Sequence, residues 1–112
     1  MAEPSRGPKR YRFDRWALDL ATRDLLREDG VVVPLSTGEY DLLLALVERP
    51  QRTLSRDQLL DLARGRAASA FDRSVDTQVS RLRRKIERDP GDPQIIKTVW
   101  GGGYVFASVV SR

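Results

Sequence analysis

The stretch RSVDTQVSRLRRKIER, from Arg73 to Arg88, places the tightest constraint on how this chain folds. Wound as an α-helix, it gathers Val75, Val79, Leu82 and Ile86 into one stripe roughly 60° wide. Arg73, Thr77, Ser80, Arg81, Arg84 and Arg88 fall on the opposite side. Ser74, Gln78 and Lys85 lie on one flank, and Asp76, Arg83 and Glu87 on the other. One narrow face is apolar, and the far face is nearly all arginine and hydroxyl. Such a helix lies on a core and turns a cationic surface away from it.

The charge count sharpens this. The stretch carries Arg73, Arg81, Arg83, Arg84, Lys85 and Arg88 against Asp76 and Glu87, a net +4. The whole chain, with 20 basic and 16 acidic residues, also nets +4, so everything outside the stretch balances. A solvated outer face usually mixes signs, because opposite charges at (i, i+4) support the helix. This face has no acid. A localised basic patch in a chain of pI near 10.0 favours a nucleic-acid partner over plain solvation.

At 112 residues the chain bounds one domain with a modest core. It has no cysteine and no histidine. Disulfides, thiol nucleophiles, Ser-His-Asp and Cys-His systems, and cysteine or histidine metal sites are therefore excluded. Neither a catalytic site nor a cofactor is expected. No apolar run approaches the roughly 18 residues of a membrane span, and the N-terminus lacks an apolar signal core. The missing cysteines fit a cytoplasmic setting.

Residues 1–10, MAEPSRGPKR, have two prolines, a glycine and no apolar period, and are expected to be a linker or leader before a domain spanning 11–110. From Tyr11 to Leu35, the pieces YRF, WALDL, DLL and VVVPL are broken by Asp14-Arg15, Thr22-Arg23 and the turn signal Asp29-Gly30. They predict a small antiparallel sheet. Ser36 to Arg49 predicts a helix with an S-x-x-E capping box at Ser36 and Glu39. Tyr40, Leu43, Leu44 and Val47 sit at core spacing, Leu42 and Leu46 widen the buried face, and Pro50 ends it. A second helix, Ser55 to Arg64, has a capping box at Ser55 and Gln58, inward Leu59, Leu62 and Ala63, and Gly65 as its stop. RAASAF, Arg66 to Phe71, is a connector, and Asp72 caps the basic helix, which Pro90 and Pro93 end. IIKTV, then Trp100-Gly101-Gly102-Gly103, then YVFASVV predict a terminal hairpin.

Two helices, a third basic helix and a hairpin make an α+β fold: a winged helix-turn-helix with an N-terminal antiparallel sheet, three helices and a C-terminal β-hairpin wing. An α-helix fits the major groove of B-DNA, about 12 Å wide. Thr77, Gln78 and Arg81 are of the types that read base edges: glutamine suits adenine, arginine guanine, and the threonine methyl thymine. Arg73, Arg83, Arg84 and Lys85 suit phosphates.

From about Tyr11 to Phe106 the chain resembles the effector domain of the OmpR/PhoB family of bacterial response regulators. The resemblance is carried by LSTGEYDLLLALVERP, LSRDQLLDLARGR, RSVDTQVSRLRRKIERDPGDPQIIKTV and GGGYVF, and ARGR with TVWGGGYVF points to the OmpR branch. It implies sequence-specific binding of double-stranded DNA, with Arg73 to Arg88 in the major groove. Ser74, Thr98 and Tyr104 join the candidate backbone contacts, and Trp100, Gly101, Gly102 and Gly103 form the wing. The segment Leu62 to Phe71, with Arg64, Arg66, Ala67, Ser69 and Phe71, is implied to face RNA polymerase. The resemblance further implies pairing as a homodimer on direct promoter repeats, and a receiver domain, absent from this chain, that answers a sensor histidine kinase. The resemblance places the wing, 98–104, on the adjacent backbone or minor groove, and many relatives carry arginine where Trp100 stands and use it in the minor groove. Trp100 supplies no charge, and either packs on sugar-phosphate or covers the core.

Two other classes fit less well. A winged helix for protein contact would place its arginines on an acidic partner. A nuclease would need clustered carboxylates, and the acids here are scattered among bases.

Overall fold

The short apolar pieces ahead of Ser36 pair into one antiparallel sheet. In the computed structural model, which describes residues 10–67 and 75–111 and residues 64–67 by backbone alone, four strands follow in turn. They are β1 (Arg10–Phe13), β2 (Trp16–Asp19), β3 (Asp24–Arg27) and β4 (Val32–Val33). Each pairs with the next, with Phe13 opposite Trp16 and Leu18 opposite Leu25. The inward face is therefore aromatic and leucine-rich, and Phe13, Trp16, Leu18 and Leu25 are all buried. Arg10, expected in the leader, lies in β1, and its guanidinium meets Asp19 at 3.1 Å. The turns use backbone that side chains rarely adopt: Asp14 at φ 50°, Arg23 at 62° and Gly30 at 89°.

α1 (Thr37–Val47) begins at the expected capping box. Ser36 N–H donates to Glu39 Oε1 at 2.9 Å, and Glu39 N–H to Ser36 Oγ at 3.1 Å. Every residue from Gly38 to Val47 is buried, so this helix is enclosed on all sides. Past Pro50 the chain reverses through Gln51 in the left-handed region. β5 (Thr53–Leu54) then forms, a two-residue strand that no sequence period announces.

α2 (Arg56–Ala67) starts at the second capping box, with Ser55 N–H to Gln58 Oε1 at 2.9 Å and Gln58 N–H to Ser55 Oγ at 3.1 Å. It does not stop at Gly65, contrary to expectation. Glycine costs a helix only about 1 kcal/mol against alanine, and here no proline follows to force an end. Arg66 and Ala67 thus belong to the helix backbone and not to a loop. The expected cap Asp72, the helix-start residues Arg73 and Ser74, and Ser69 and Phe71 lie outside the described residues, as do the side chains of Arg64, Arg66 and Ala67.

α3 (Val75–Ile86) is followed by β6 (Ile96–Val99), β7 (Gly103–Phe106) and β8 (Val110–Ser111). β6 and β7 form the hairpin, and β5 pairs on the other side of β7, giving the order β5-β7-β6. YVFASVV is not one strand. It breaks after Phe106, and β8 crosses to pair with β1, completing the five-stranded order β4-β3-β2-β1-β8. The two sheets meet in one core around α1, where the Phe13 and Phe106 rings pack edge to face at 5.0 Å. Among the described residues no helix is long and apolar enough to cross a membrane.

Candidate nucleic-acid interface

α3 lies on the core through Val75, Val79, Leu82 and Ile86, each at most 4 % exposed. A fully buried aliphatic side chain stabilises by about 1.5–3 kcal/mol, so this stripe alone seats the helix firmly. Its C-terminal end is pinned from two sides. Trp16 Nε1 donates to Ile86 O at 3.0 Å. The buried Glu87 carboxylate accepts from the backbone N–H groups of Gln94, Ile95 and Ile96, at 2.8 Å for the first and last. Its N-terminal end is held by Asp76, which takes Arg56 Nε at 2.8 Å and the Tyr104 hydroxyl on the same oxygen. The Tyr104 hydrogen bond, with Arg56 beside it, holds the Asp76 carboxyl below the ordinary carboxylate value. Burial and the same carboxylate push the Tyr104 phenol up.

Two of the basic side chains tie the flanks down. Lys85 Nζ donates to Glu39 Oε1 at 2.6 Å and to Pro34 O at 2.9 Å. Burial pushes the Glu39 carboxyl up, but Lys85 and the capping hydrogen bonds outweigh it, and the group sits below its usual range. Arg83 reaches the opposite way. Its guanidinium donates to Ile96 O at 2.6 and 3.0 Å and to Thr98 Oγ1 at 2.9 Å, and stands over the Tyr104 ring. The hairpin is thereby braced against the side of the helix.

Several of the expected contact residues are buried or have partners inside the unbound chain. Gln78, expected on a base edge, is 3 % exposed, and its Oε1 meets no donor. The buried sector of the helix is wider than the aliphatic stripe and takes in the flank on which Gln78 stands. Lys85 and Arg83, expected on phosphates, are held by protein acceptors in the unbound chain. Tyr104 is 5 % exposed, packs in the core of the wing, and gives its hydroxyl to Asp76 in the unbound chain. Thr98 is exposed but already accepts from Arg83.

What remains on the outer face is a shallow depression of about 410 Å³ lined by Asp76, Thr77, Ser80, Arg81 and Arg84. Neither Arg81 nor Arg84 is ion-paired to a described residue. Arg88 comes only to 3.7 Å from Asp14 with its side chain 68 % exposed. Thr77, Arg81 and Arg84 are thus gathered as the spacing implied. Arg56, Asp76 and Glu87 were missed as site supports. The one local signal was an acid in the first turn of a helix; their partners are far away in sequence.

The wing tip is a turn from Val99 to Gly102, closed by Gly102 N–H to Val99 O at 3.0 Å, with Gly101 at φ 71°. Gly103 has a different reason to be glycine. A Cβ there would stand 2.2 Å from Leu54 O, where β5 pairs alongside β7. Trp100 does not cover the core: it is 98 % exposed.

This geometry has close counterparts. Residues 30–106 match the family described as transcriptional regulatory protein, C terminal. The chain is 47% identical over 102 residues to the regulatory protein VirG of Agrobacterium tumefaciens, covering 91% of this chain and 38% of VirG. It spans well under half the length of that relative. Among solved structures it is similar to the RstA DNA-binding domain of Klebsiella pneumoniae, solved in complex with the RstA box. That match has a TM-score of 0.74 and 37% identity over 88% of this chain and 97% of that one. It is also similar to the C-terminal effector domain of BfmR from Acinetobacter baumannii, with a TM-score of 0.75 and 36% identity over 93% and 94% of the two chains. This chain belongs to the family of transcriptional regulatory protein C-terminal domains, with the winged-helix fold of the OmpR/PhoB type.

Proposed function

We propose that this chain binds double-stranded DNA in a sequence-specific way, as the effector domain of a two-component response regulator that controls transcription. The observation that carries the reading is the outer face of α3. Thr77, Ser80, Arg81 and Arg84 face outward together, while the neighbouring cations Arg83 and Lys85 are held by the protein. At 1.5 Å per residue α3 is about 18 Å long, enough to lie across a major groove. Thr77 and Arg81 are assigned to base edges, Arg84 and Thr98 to the backbone, and Arg73 and Ser74 precede them in sequence.

In the whole protein, this reading adds an upstream receiver domain addressed by a sensor histidine kinase, and homodimer binding at direct promoter repeats. It also adds an RNA polymerase surface in the segment holding Arg64, Arg66, Ala67, Ser69 and Phe71. The α2 backbone through Ala67 supports a surface that is helical at its start.

Selection of binders from a random duplex library tests the core of the proposal. The expected result is an enriched motif whose affinity falls steeply with salt. Salt-independent binding, or no enrichment, refutes it.

A further inference from the structure

Asp76, in the first turn of α3, uses its two carboxylate oxygens unequally. Oδ1 takes both Arg56 Nε, at 2.8 Å, and the Tyr104 hydroxyl. No described residue bonds Oδ2. The side chain is 53 % exposed and lines the outer depression with Thr77, Ser80, Arg81 and Arg84. Among the described residues there it is the one acid. The first turn of a helix favours an acid, which accounts for the charge but not for the unshared oxygen.

On a surface that only had to hold phosphates, this carboxylate would be a fault, because it repels them. What it supplies is a fixed acceptor. The Tyr104 hydrogen bond, with Arg56 beside it, holds the carboxyl below its ordinary value, so the group is ionised, accepts and cannot donate. Tyr104 is buried in the wing and Arg56 opens α2, so the two bonds to Oδ1 orient the carboxylate before any ligand arrives. Base edges differ in what they offer such a group. In the major groove cytosine presents the N4 amine as a donor with no acceptor beside it. Adenine sets its N7 acceptor next to its amine, and guanine and thymine present carbonyl oxygens. A fixed carboxylate therefore suits cytosine and opposes the other three.

We propose that Asp76 is a specificity-determining residue whose Oδ2 accepts from the N4 amine of a cytosine in the major groove. This rests on the DNA-binding reading above, and adds to it the base that the first turn of α3 selects.

The test selects binders from a random duplex library with the full chain and, in parallel, with Asp76→Asn. The asparagine keeps Oδ1 for Arg56, which can only donate, so its amide N–H group turns outward and the acceptor becomes a donor. The parent should enrich cytosine at one position, by about tenfold over the other bases. Asp76→Asn should enrich guanine or thymine at that position and leave the rest of the motif as it was. Loss of one negative charge should tighten the variant on every duplex alike, so the preference is the readout and not the affinity. A second measurement needs only the parent. N4-methylcytosine at that position still pairs but loses its groove-facing hydrogen, and affinity should fall about tenfold. An unchanged motif for Asp76→Asn overturns the proposal and leaves Asp76 a brace alone. Parent affinity for the N4-methylcytosine duplex within about twofold of the unmodified one overturns it too. A parent chain that enriches no motif brings down the DNA reading itself, and this inference with it.

Discussion

The inner and outer halves of α3 are built on different principles. The inner half is over-determined. Val79 and Leu82 are at most 1 % exposed, and Arg83, Lys85 and Asp76 at its rims each reach a different element. The outer half has almost no structural duty: Ser80, Arg81 and Arg84 carry none of the core. Cations in neighbouring positions of one turn therefore do opposite jobs, and the job follows from what stands within reach. On the proposed reading, the outer side chains can change with the DNA they meet, while the rims hold the helix at one angle to the wing.

The sharpest way to break the comparison is to put the chemistry of one half into the other. Val79→Asp places a carboxylate at a position 1 % exposed inside the apolar cluster. An unpaired buried charge costs about 3–5 kcal/mol, a large share of the stability of a small domain. Circular dichroism should show no cooperative melt at the parent temperature; a parent-like melt means the helix is rotated from the position described.

Lys85→Ala comes next. Glu39, with a side chain 4 % exposed, loses a partner at 2.6 Å, while Lys85 itself is 31 % exposed. Solvent screening discounts the cost to about 1–2 kcal/mol. The Glu39 carboxyl is held below its ordinary value of 4.5 in the folded chain. The stabilisation is therefore present above pH 4.5 and lost as pH falls through the folded value. Denaturant melts across that range should show the gap between parent and variant closing in acid. A gap that persists would assign the effect to lost side-chain packing.

Arg81→Ala belongs to the outer half. Its melt should stay within about 0.5 kcal/mol of the parent. Its preference for the selected motif over random duplex should drop by about 1–3 kcal/mol. Equal losses on both duplexes would make Arg81 a backbone contact. Arg84→Ala should give the smallest effect, a uniform weakening on every duplex with the salt slope reduced by about 1. A motif-selective loss would move Arg84 to the base-reading set.

Much of this was legible in advance where the signal is local. Both capping boxes formed as the S-x-x-E and S-x-x-Q spacings required, because each partner lies three residues from the other. The Asp29-Gly30 turn, the apolar stripe of α3 and the terminal hairpin followed from neighbours within a few positions. β5 was missed because two residues carry no period, and it exists only because β7 offers an edge. The stop at Gly65 was misplaced because propensity is a weak prior against a helix with room to continue. Trp100 was left between two roles, and burial decided against the core.

The sequence by itself determined which segments are helices and hairpins, which stripe of Arg73 to Arg88 faces inward, and that the excess positive charge sits on that stretch. These are properties of periodicity, turn chemistry and composition, and they need no partner from elsewhere. Only the tertiary structure decided that Gln78 is enclosed, that Lys85 belongs to Glu39 and Arg83 to the wing, that Tyr104 serves Asp76, and that Gly103 makes way for Leu54 O. Each of those outcomes depends on a group brought close by folding, between 13 and 49 residues away for the paired ones. A cation reads the same in sequence whether an acceptor waits beside it or not. Folding supplies the acceptor, and so separates the arginines that hold the helix from those left on its outer face.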